Sequence, residues 1–525
     1  MKRSLGTIAK TSAVLCLLLV VAGAAWAKGT TEAAKAAKPV EIWIYANTGT
    51  PQLASVPASD PADYKEIYDM ILAKTGISVK TIIAPKNTAE AETKLNLLLA
   101  AGDQIDIFGA ISDWRVYQTA GALQPLNDLL EKYGKNTKTS WLWPDAWRTM
   151  STSDGTIWAL PGTPPLNPYI LYLRKDWTDK LGLKMPTNID EYEAVLKAFK
   201  EKDPAGNGAT IPLASGQRGQ FYLGKIFSGG FTGVGYGNLG LTDWVDPSDG
   251  KLKPVELHPQ FRDYVAKMAD WYAKGYMQKE ILSLSRDAHA ELVMANKVGS
   301  SAVWYTRLTQ GITNLKKNVP DANYVPLQDL TGPKGVMASV EDMSLAGTCI
   351  AKKSKNPEAA MKYIDFVKSD IVTYLTCCYG LEGKSWRFID KNSTPIIWEK
   401  LPNERYIGEF QANPSFAWSI KFSTVATAPS AQLESAWVKQ GLTKLDQLKK
   451  PSDYGVSAMY DKNKIMAICT NEGDIQRMRD EGIAKFILGQ RPMAEYDQFV
   501  KELYGAGLDK WIEAYSAEYK RVTGK

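Results

Sequence analysis

Histidine and cysteine are both scarce in this chain, at two and five among 525 residues. His258 and His289 stand far apart and no H-E-x-x-H pair occurs, which removes the usual zinc hydrolase. The adjacent Cys377 and Cys378 cannot chelate zinc without further ligands, and few are on offer. With Cys349 and Cys469 they allow three pairings, but a chain of this size needs no disulfide framework. Buried thiols or a single bridge are the expected states. No G-x-S-x-G nucleophile elbow is present. Charge of one sign is lacking too: 63 Lys and Arg face 57 Asp and Glu, which is no footprint for nucleic acid. Internal repeats, coiled-coil heptads and an acidic tail are absent, and long apolar runs are confined to the start of the chain.

That one run is informative. Met1, Lys2, Arg3 and Lys10 precede the apolar stretch Ala13 to Ala25, and Ala25-Trp26-Ala27 supplies small residues for cleavage after Ala27. The stretch is short for a membrane span, so residues 1–27 read as a secretory signal peptide. Cys16 follows Ala13-Val14-Leu15 in mid-core, where the small residue expected before a lipidated cysteine is missing. A soluble periplasmic protein, not lipidated, is expected. Export disfavours nucleotide cofactors, chromosomal DNA and cytosolic substrates. Cleavage removes Lys2, Arg3 and Lys10, leaving 60 basic against 57 acidic residues.

Residues 28–38, rich in Ala, Lys, Thr and Glu, read as a flexible tether. Beyond it, strands alternate with helices. Val40 to Tyr45 predicts a strand, and Asp60-Pro61 predicts a helix start with buried Tyr64, Ile67, Tyr68, Ile71 and Leu72. Gly76 ends that helix, Ile77 to Ile83 forms a second strand, and a helix over Ala89 to Ala101 leads into the strand Ile105 to Phe108. Ile170 to Leu173 is a further strand. Thr187 with Asp190 predicts a capping box before Ile189, Tyr192, Val195, Leu196 and Phe199. Asn356-Pro357 opens a helix with Ala360, Tyr363, Ile364 and Val367 inside, and Leu508, Trp511, Ile512, Tyr515 and Tyr519 mark the last one. This alternation argues for an α/β chain with parallel sheet covered on both faces. Ser228 to Gly250, rich in glycine, reads as a long surface excursion.

Two nucleotide motifs fail on context. Gly235 to Gly240 satisfies G-x-G-x-x-G without a preceding strand or a following helix, and Gly383-Lys384-Ser385 has Cys378 where a P-loop needs its first glycine. Carboxylate pairs such as Glu341-Asp342 or Glu382 would suit a glycosidase, but 57 acids make such pairs common by chance.

The order of segments resembles the family 1 extracellular solute-binding proteins of bacterial carbohydrate ABC transporters, in their long oligosaccharide-binding branch. The resemblance rests on Lys94 to Asp103, Gly121 to Leu126, Asp154 to Pro161, Leu173 to Trp177, Tyr379 to Gly383 and Phe486 to Gly489. It implies a two-lobe periplasmic-binding-protein fold with a hinge and a ligand cleft between the lobes, closing on an oligosaccharide for delivery to permease subunits. By analogy, residues 39–160 and 303–350 would form lobe 1, and residues 161–302 and 351–525 lobe 2. Neither catalysis nor a cofactor is implied, and a monomer is expected. Some relatives hold calcium where Asp203 to Gly208 stands here; Ala205 removes a ligand and Ile211 and Pro212 bring no carboxylate, so a tight turn is expected instead. Competing readings are an exported glycan hydrolase or lyase, and an adhesin or peptide-binding module.

Sugars are gripped by flat aromatic faces and planar polar groups. Fifteen of the sixteen tryptophans lie beyond the signal segment. Asp113 and Trp114 follow the carboxyl end of a buried strand, where open α/β sheets bind ligands. Trp158 falls where the family carries an aromatic residue near the cleft. Arg174 is a fork for hydroxyls or a uronate, or else a partner for Asp176. Ser300 to Tyr305 resembles the family's return strand, making Trp304 the foremost stacking candidate, with Tyr305 beside it. Trp386 and Glu382 follow at the Tyr379 to Gly383 motif, and Gln217, Arg218 and Trp244 would reach a longer ligand.

Overall fold

The computed structural model describes residues 38–46, 61–85, 88–110, 113–139, 144–152, 154–161, 169–216, 219–234, 243–304, 308–327, 330–337, 345–393, 396–401, 424–426 and 456–525. The signal segment and the tether up to residue 37 lie outside them. In chain order the strands are β1 (Val40–Ala46), β2 (Ile77–Ile83), β3 (Ile107–Ala110), β4 (Leu160–Pro161), β5 (Tyr169–Arg174), β6 (Ile211–Ala214), β7 (Asp243–Val245) and β8 (Leu252–Pro254). They continue with β9 (Val298–Trp304), β10 (Tyr324–Pro326), β11 (Thr331–Gly332), β12 (Gly335–Val336), β13 (Gly347–Ile350), β14 (Trp386–Asp390), β15 (Ile396–Lys400) and β16 (Thr424–Ala426).

Two larger sheets organise the chain. The first runs β2-β1-β3-β13-β4, and the second β10-β5-β9-β6. Parallel pairing is found where a helix carries the chain back across a sheet, as between β1 and β2. Both sheets are nevertheless mixed: β13 lies antiparallel to β3 and β4, and β5 antiparallel to β9 and β10. The expected all-parallel sheet is corrected on this point. A strand that returns from the other sheet needs no crossover helix and is free to enter in either direction.

Local chemistry sets the elements. Pro61, whose absent N–H would be unsatisfied in any first turn, opens the helix Pro61–Thr75, which buries Ile67 and Ile71. Gly76 adopts φ +71° and donates its N–H to the Leu72 carbonyl at 2.8 Å, ending the helix where a side chain would be strained. The helix Ile189–Lys202 starts one residue later than Thr187 suggests. Asn188 is its cap, accepting from the Glu191 N–H, while the Glu191 carboxylate accepts from the Thr187 N–H and hydroxyl at 2.8 and 2.9 Å. Asp190 is one position and one methylene short of that return contact. The inner stripe Ile189, Tyr192, Val195, Leu196 and Phe199 is buried as expected, each side chain contributing ~1.5–3 kcal/mol gross.

The cores assign the later segments differently from the analogy. Helices Pro357–Val367 and Ile371–Tyr379, with Trp386 and Trp398, share one apolar core with Ile42, Ile44 and Ile107 of the first sheet. Val303 and Tyr324 instead lie in a core with Ile170 and Ala214 of the second sheet. Val303 and Tyr324 therefore pack with the second sheet, and the helices Pro357–Val367 and Ile371–Tyr379 with the first. The terminal stripe Leu508, Trp511, Ile512, Tyr515 and Tyr519 joins the second-sheet core. The supposed surface excursion also begins inside the protein, since Ser228 to Thr232 are buried, with Gly230 against Met337.

All four described cysteines are free thiols in buried positions. The Asp203 turn is closed by its own donors: the carboxylate accepts from the Gly208 N–H at 2.8 Å and from the Thr210 hydroxyl. Among the described residues no helix is long and apolar enough to cross a membrane.

Candidate functional site

The chain passes from the first sheet to the second between Pro161 and Tyr169, so the Tyr169 end of β5 is the end of the second sheet that leads to lobe 1. Register sets what meets there. Tyr169 pairs with Trp304, the last residue of β9, and their rings meet edge to face with centroids 5.6 Å apart. Phe221 adds a second edge-to-face contact to Tyr169 at 5.4 Å, with Tyr222 tilted against both. Trp304 and Phe221 are half-buried and Tyr169 is nearly buried, so this wall keeps partly open ring surface.

A helix segment completes the wall. Gly219–Leu223 can approach only because Gly219 lacks a side chain: a Cβ there would meet the Ile281 carbonyl oxygen at 1.7 Å. The next turn, Gly224–Ser228, is a π-helix, a form concentrated at functional sites. It carries Lys225, fully buried, whose Nζ lies 5.3 Å from both the Tyr169 and Phe221 ring centroids. On β9, the Ser301 hydroxyl meets His289 at 2.9 Å, and burial lowers the His289 pKa to about 4, so the ring is neutral.

At the end of the first sheet the arrangement is polar. Asp113 caps the helix Trp114–Thr119, accepts from the Arg115 N–H, and forks with the Arg115 guanidinium at 2.6–3.1 Å. Arg115 Nη1 then donates to the Tyr460 carbonyl of the second lobe at 2.7 Å. Asp113 bridges to Leu345, just after the chain has returned to lobe 1. Trp114 turns inward, 2 % exposed, with its indole N–H on the Thr149 carbonyl. Trp158 is half-buried and donates to the Thr152 hydroxyl at 3.1 Å.

Several expected ligand residues are elsewhere or closed. Arg174 sits at the opposite end of β5 from Tyr169, roughly 17 Å along the strand. It is 1 % exposed, forks onto Asp176 at 2.6 and 2.8 Å, donates to Asn296, and lies over the Trp177 ring. The ion pair, not a ligand fork, is its role. Trp386 is 0 % exposed with its N–H on the Gly380 carbonyl, packed against Phe388 and Trp398, so it offers no face to a sugar. Glu382 is exposed in the turn bridged to Trp386. Trp244 is half-buried on the β7-β8 hairpin, edge-on to His258 at 4.5 Å. Gln217, Arg218 and Tyr305 lie outside the described residues.

Of the expected set, Trp304 stands in the aromatic wall, while Asp113 and Trp158 stand in lobe 1 on either side of the chain's crossings. The wall also contains Tyr169 and Phe221, with Lys225 packed against both, and none of the three was among the residues expected from the sequence. The Phe221 to Lys225 spacing of four, which puts ring and ammonium on one helical face, was the available signal.

Residues 58–373 match the family described as bacterial extracellular solute-binding protein. The polygalacturonan/rhamnogalacturonan-binding protein YtcQ of Bacillus subtilis is 23% identical over 449 residues, 83% of this chain and 84% of that protein. The fructooligosaccharide ABC transporter substrate-binding protein FusA of Streptococcus pneumoniae is 25% identical over 501 residues, 87% of each chain. Among solved structures, an extracellular solute-binding protein of Bifidobacterium longum subsp. infantis superposes with TM-score 0.69 at 19% identity, covering 92% of this chain and 98% of that one. The alginate-binding protein AlgQ2 gives TM-score 0.60 at 21% identity, covering 92% and 99%. These neighbours share the two-lobe α/β architecture expected from the order of segments. With the match spanning more than half its length, the chain belongs to the bacterial extracellular solute-binding protein family.

Proposed function

We propose that this protein is the substrate-binding component of an ABC importer, taking an oligosaccharide between its lobes and handing it to the membrane permease. One observation carries the reading: a member of this family presents the aromatic wall Tyr169, Phe221 and Trp304 at the sheet end that leads to the other lobe. Curated relatives named for binding polygalacturonan and fructooligosaccharide support a carbohydrate ligand. Trp304 stacks on the sugar, Trp158 approaches from lobe 1, and Asp113 holds Arg115 in place. The lobes comprise the described residues within 38–161 and 345–401, and those within 169–337 and 456–525. Ligand bridging both lobes favours the closed state by its differential affinity for it, and that state docks on the permease.

The chain acts as a monomer after cleavage behind Ala27, free of lipid, and leaves its ligand chemically intact. The test is a titration of the mature protein with neutral and acidic oligosaccharides, read by tryptophan fluorescence and melting temperature, with the ligand then analysed by mass spectrometry. A saturable response with intact ligand is expected. Cleaved ligand would move a glycan hydrolase or lyase to the front, and indifference to every glycan would overturn the importer reading.

A further inference from the structure

We infer that Arg115 is a tie between the two lobes, holding them together before any ligand arrives and so setting the resting arrangement from which the protein closes. This deepens the importer reading and rests on its two moving lobes.

The arginine reaches across with one nitrogen and is anchored by two others. Its Nη1 donates to the Tyr460 carbonyl at 2.7 Å, joining residues 345 positions apart. Nε and Nη2 stay within lobe 1, forked onto Asp113 at 2.6–3.1 Å. That fork fixes the guanidinium plane, so little side-chain freedom is left to lose when Nη1 meets its partner. Asp113 is itself held, as the cap of Trp114–Thr119 and by its bridge to Leu345, with the Trp114 N–H on the Leu345 carbonyl at 3.2 Å.

The acceptor is fixed as firmly on the other side. Tyr460 is buried in the second-sheet core, its ring edge-on to Tyr515 at 6.0 Å. Its two neighbours are tied to the last helix: the Met459 carbonyl accepts from Arg521 at 2.8 Å, and the Asp461 N–H donates to Glu518 at 2.6 Å. The bond thus joins two well-supported groups. Its donor is charged and the Arg115 side chain only 19 % exposed, which makes it stronger than a neutral contact in open water. Arg174 shows the ordinary use of such a fork, with Asp176 and Asn296 both inside its own lobe.

A hydrogen bond between lobes favours arrangements in which they touch and is forfeited when they part. It needs no contact with sugar to raise the share of molecules near closure, which is the share that binds.

The experiment is small-angle X-ray scattering of the sugar-free mature protein, with calorimetric titrations of trigalacturonate and kestose alongside. Arg115→Met should enlarge the radius of gyration and weaken whichever saccharide binds by about threefold to tenfold, the scale of one lost hydrogen bond. Saturating saccharide should restore the wild-type bound radius. Asp113→Asn, which keeps a capping oxygen but weakens the fork, should move both readouts the same way by less. A role confined to packing within lobe 1 would leave them unmoved. An unchanged or smaller sugar-free radius in Arg115→Met would overturn the inference, and so would a larger radius without weaker binding. If Arg115→Met does not fold, Asp113→Asn decides by the same criteria. If neither saccharide binds, the sugar-free scattering alone decides the tie, and the importer reading falls or stands separately on the wider glycan titration.

Discussion

At the end of the first sheet the tryptophan points into the core and the charges stay outside: Trp114 is buried on Thr149 while Asp113 and Arg115 remain partly open. At the end of the second sheet the order is reversed, with Trp304 and Phe221 half-open and the cation, Lys225, underneath. The same residue types thus do opposite things at the two ends. A tryptophan enclosed with its N–H satisfied is a packing residue, and Trp304, half-buried at the end of its strand, is the one we propose for the ligand.

The largest effect that tests this contrast is on stability. Trp386→Ala and Trp114→Ala should each cost about 3–5 kcal/mol in urea unfolding, because both rings are fully enclosed. Trp304→Ala should cost far less stability. If Trp304→Ala lowered the urea midpoint as much as Trp386→Ala and left sugar affinity alone, the contrast between the two ends would be broken.

The next effect separates the lobes by pH. Both histidines, His258 and His289, lie in the second lobe, and burial pushes both pKa values down, that of His289 to about 4. The folded His289 therefore resists a proton that the unfolded chain accepts near 6.5. Its stabilising contribution is fully present above pH 6.5 and is lost as pH falls from there towards 4. The loss is on the order of 3 kcal/mol. Hydrogen exchange across this window should show the second lobe loosening first, and His289→Gln should flatten the dependence. Loosening that begins in the first lobe would contradict the assignment.

Smaller effects follow. Arg174→Met leaves Asp176 partly hydrated, so the loss should be about 2 kcal/mol, below that of a fully buried broken pair, with affinity unchanged. Trp304→Ala should weaken oligosaccharide binding by about 1 kcal/mol or more in calorimetry. Glu382→Gln, exposed in its turn, should change neither stability nor affinity by more than about 0.5 kcal/mol.

Much of the framework was legible in the sequence because it depends on local spacing. The stripes Ile189 to Phe199 and Leu508 to Tyr519 are each buried on one face, and Pro61 and Gly76 bound their helix as their backbone chemistry requires. Lobe membership was not legible. Val303 on its strand and Ala360 on its helix both read as core, yet they pack in different cores, because the chain's passage between sheets leaves no mark on the residues that make it. The site was legible only in part for the same reason. Trp304 and Trp386 are the same side chain, and what differs is whether later elements cover the ring. Trp398 and Phe388 cover Trp386, while Trp304 ends its strand beside Tyr169. Spacing alone could pair Lys225 with Phe221, and tertiary packing is what brings its ammonium to 5.3 Å from the Tyr169 ring as well.

The four unlinked thiols have a practical reach beyond the fold. Cys349, Cys377, Cys378 and Cys469 are shut inside hydrophobic packing, and burial raises the pKa of Cys349 and Cys377, which keeps them protonated and unreactive. With no bridge among them, folding should be independent of oxidising conditions, and refolding should be equally efficient with and without a reducing agent. The native sulfurs are also silent towards maleimide dyes. A pair of engineered surface cysteines, one per lobe, would therefore be the sole labelled positions, ready for single-molecule distance measurements without first stripping the protein of its own.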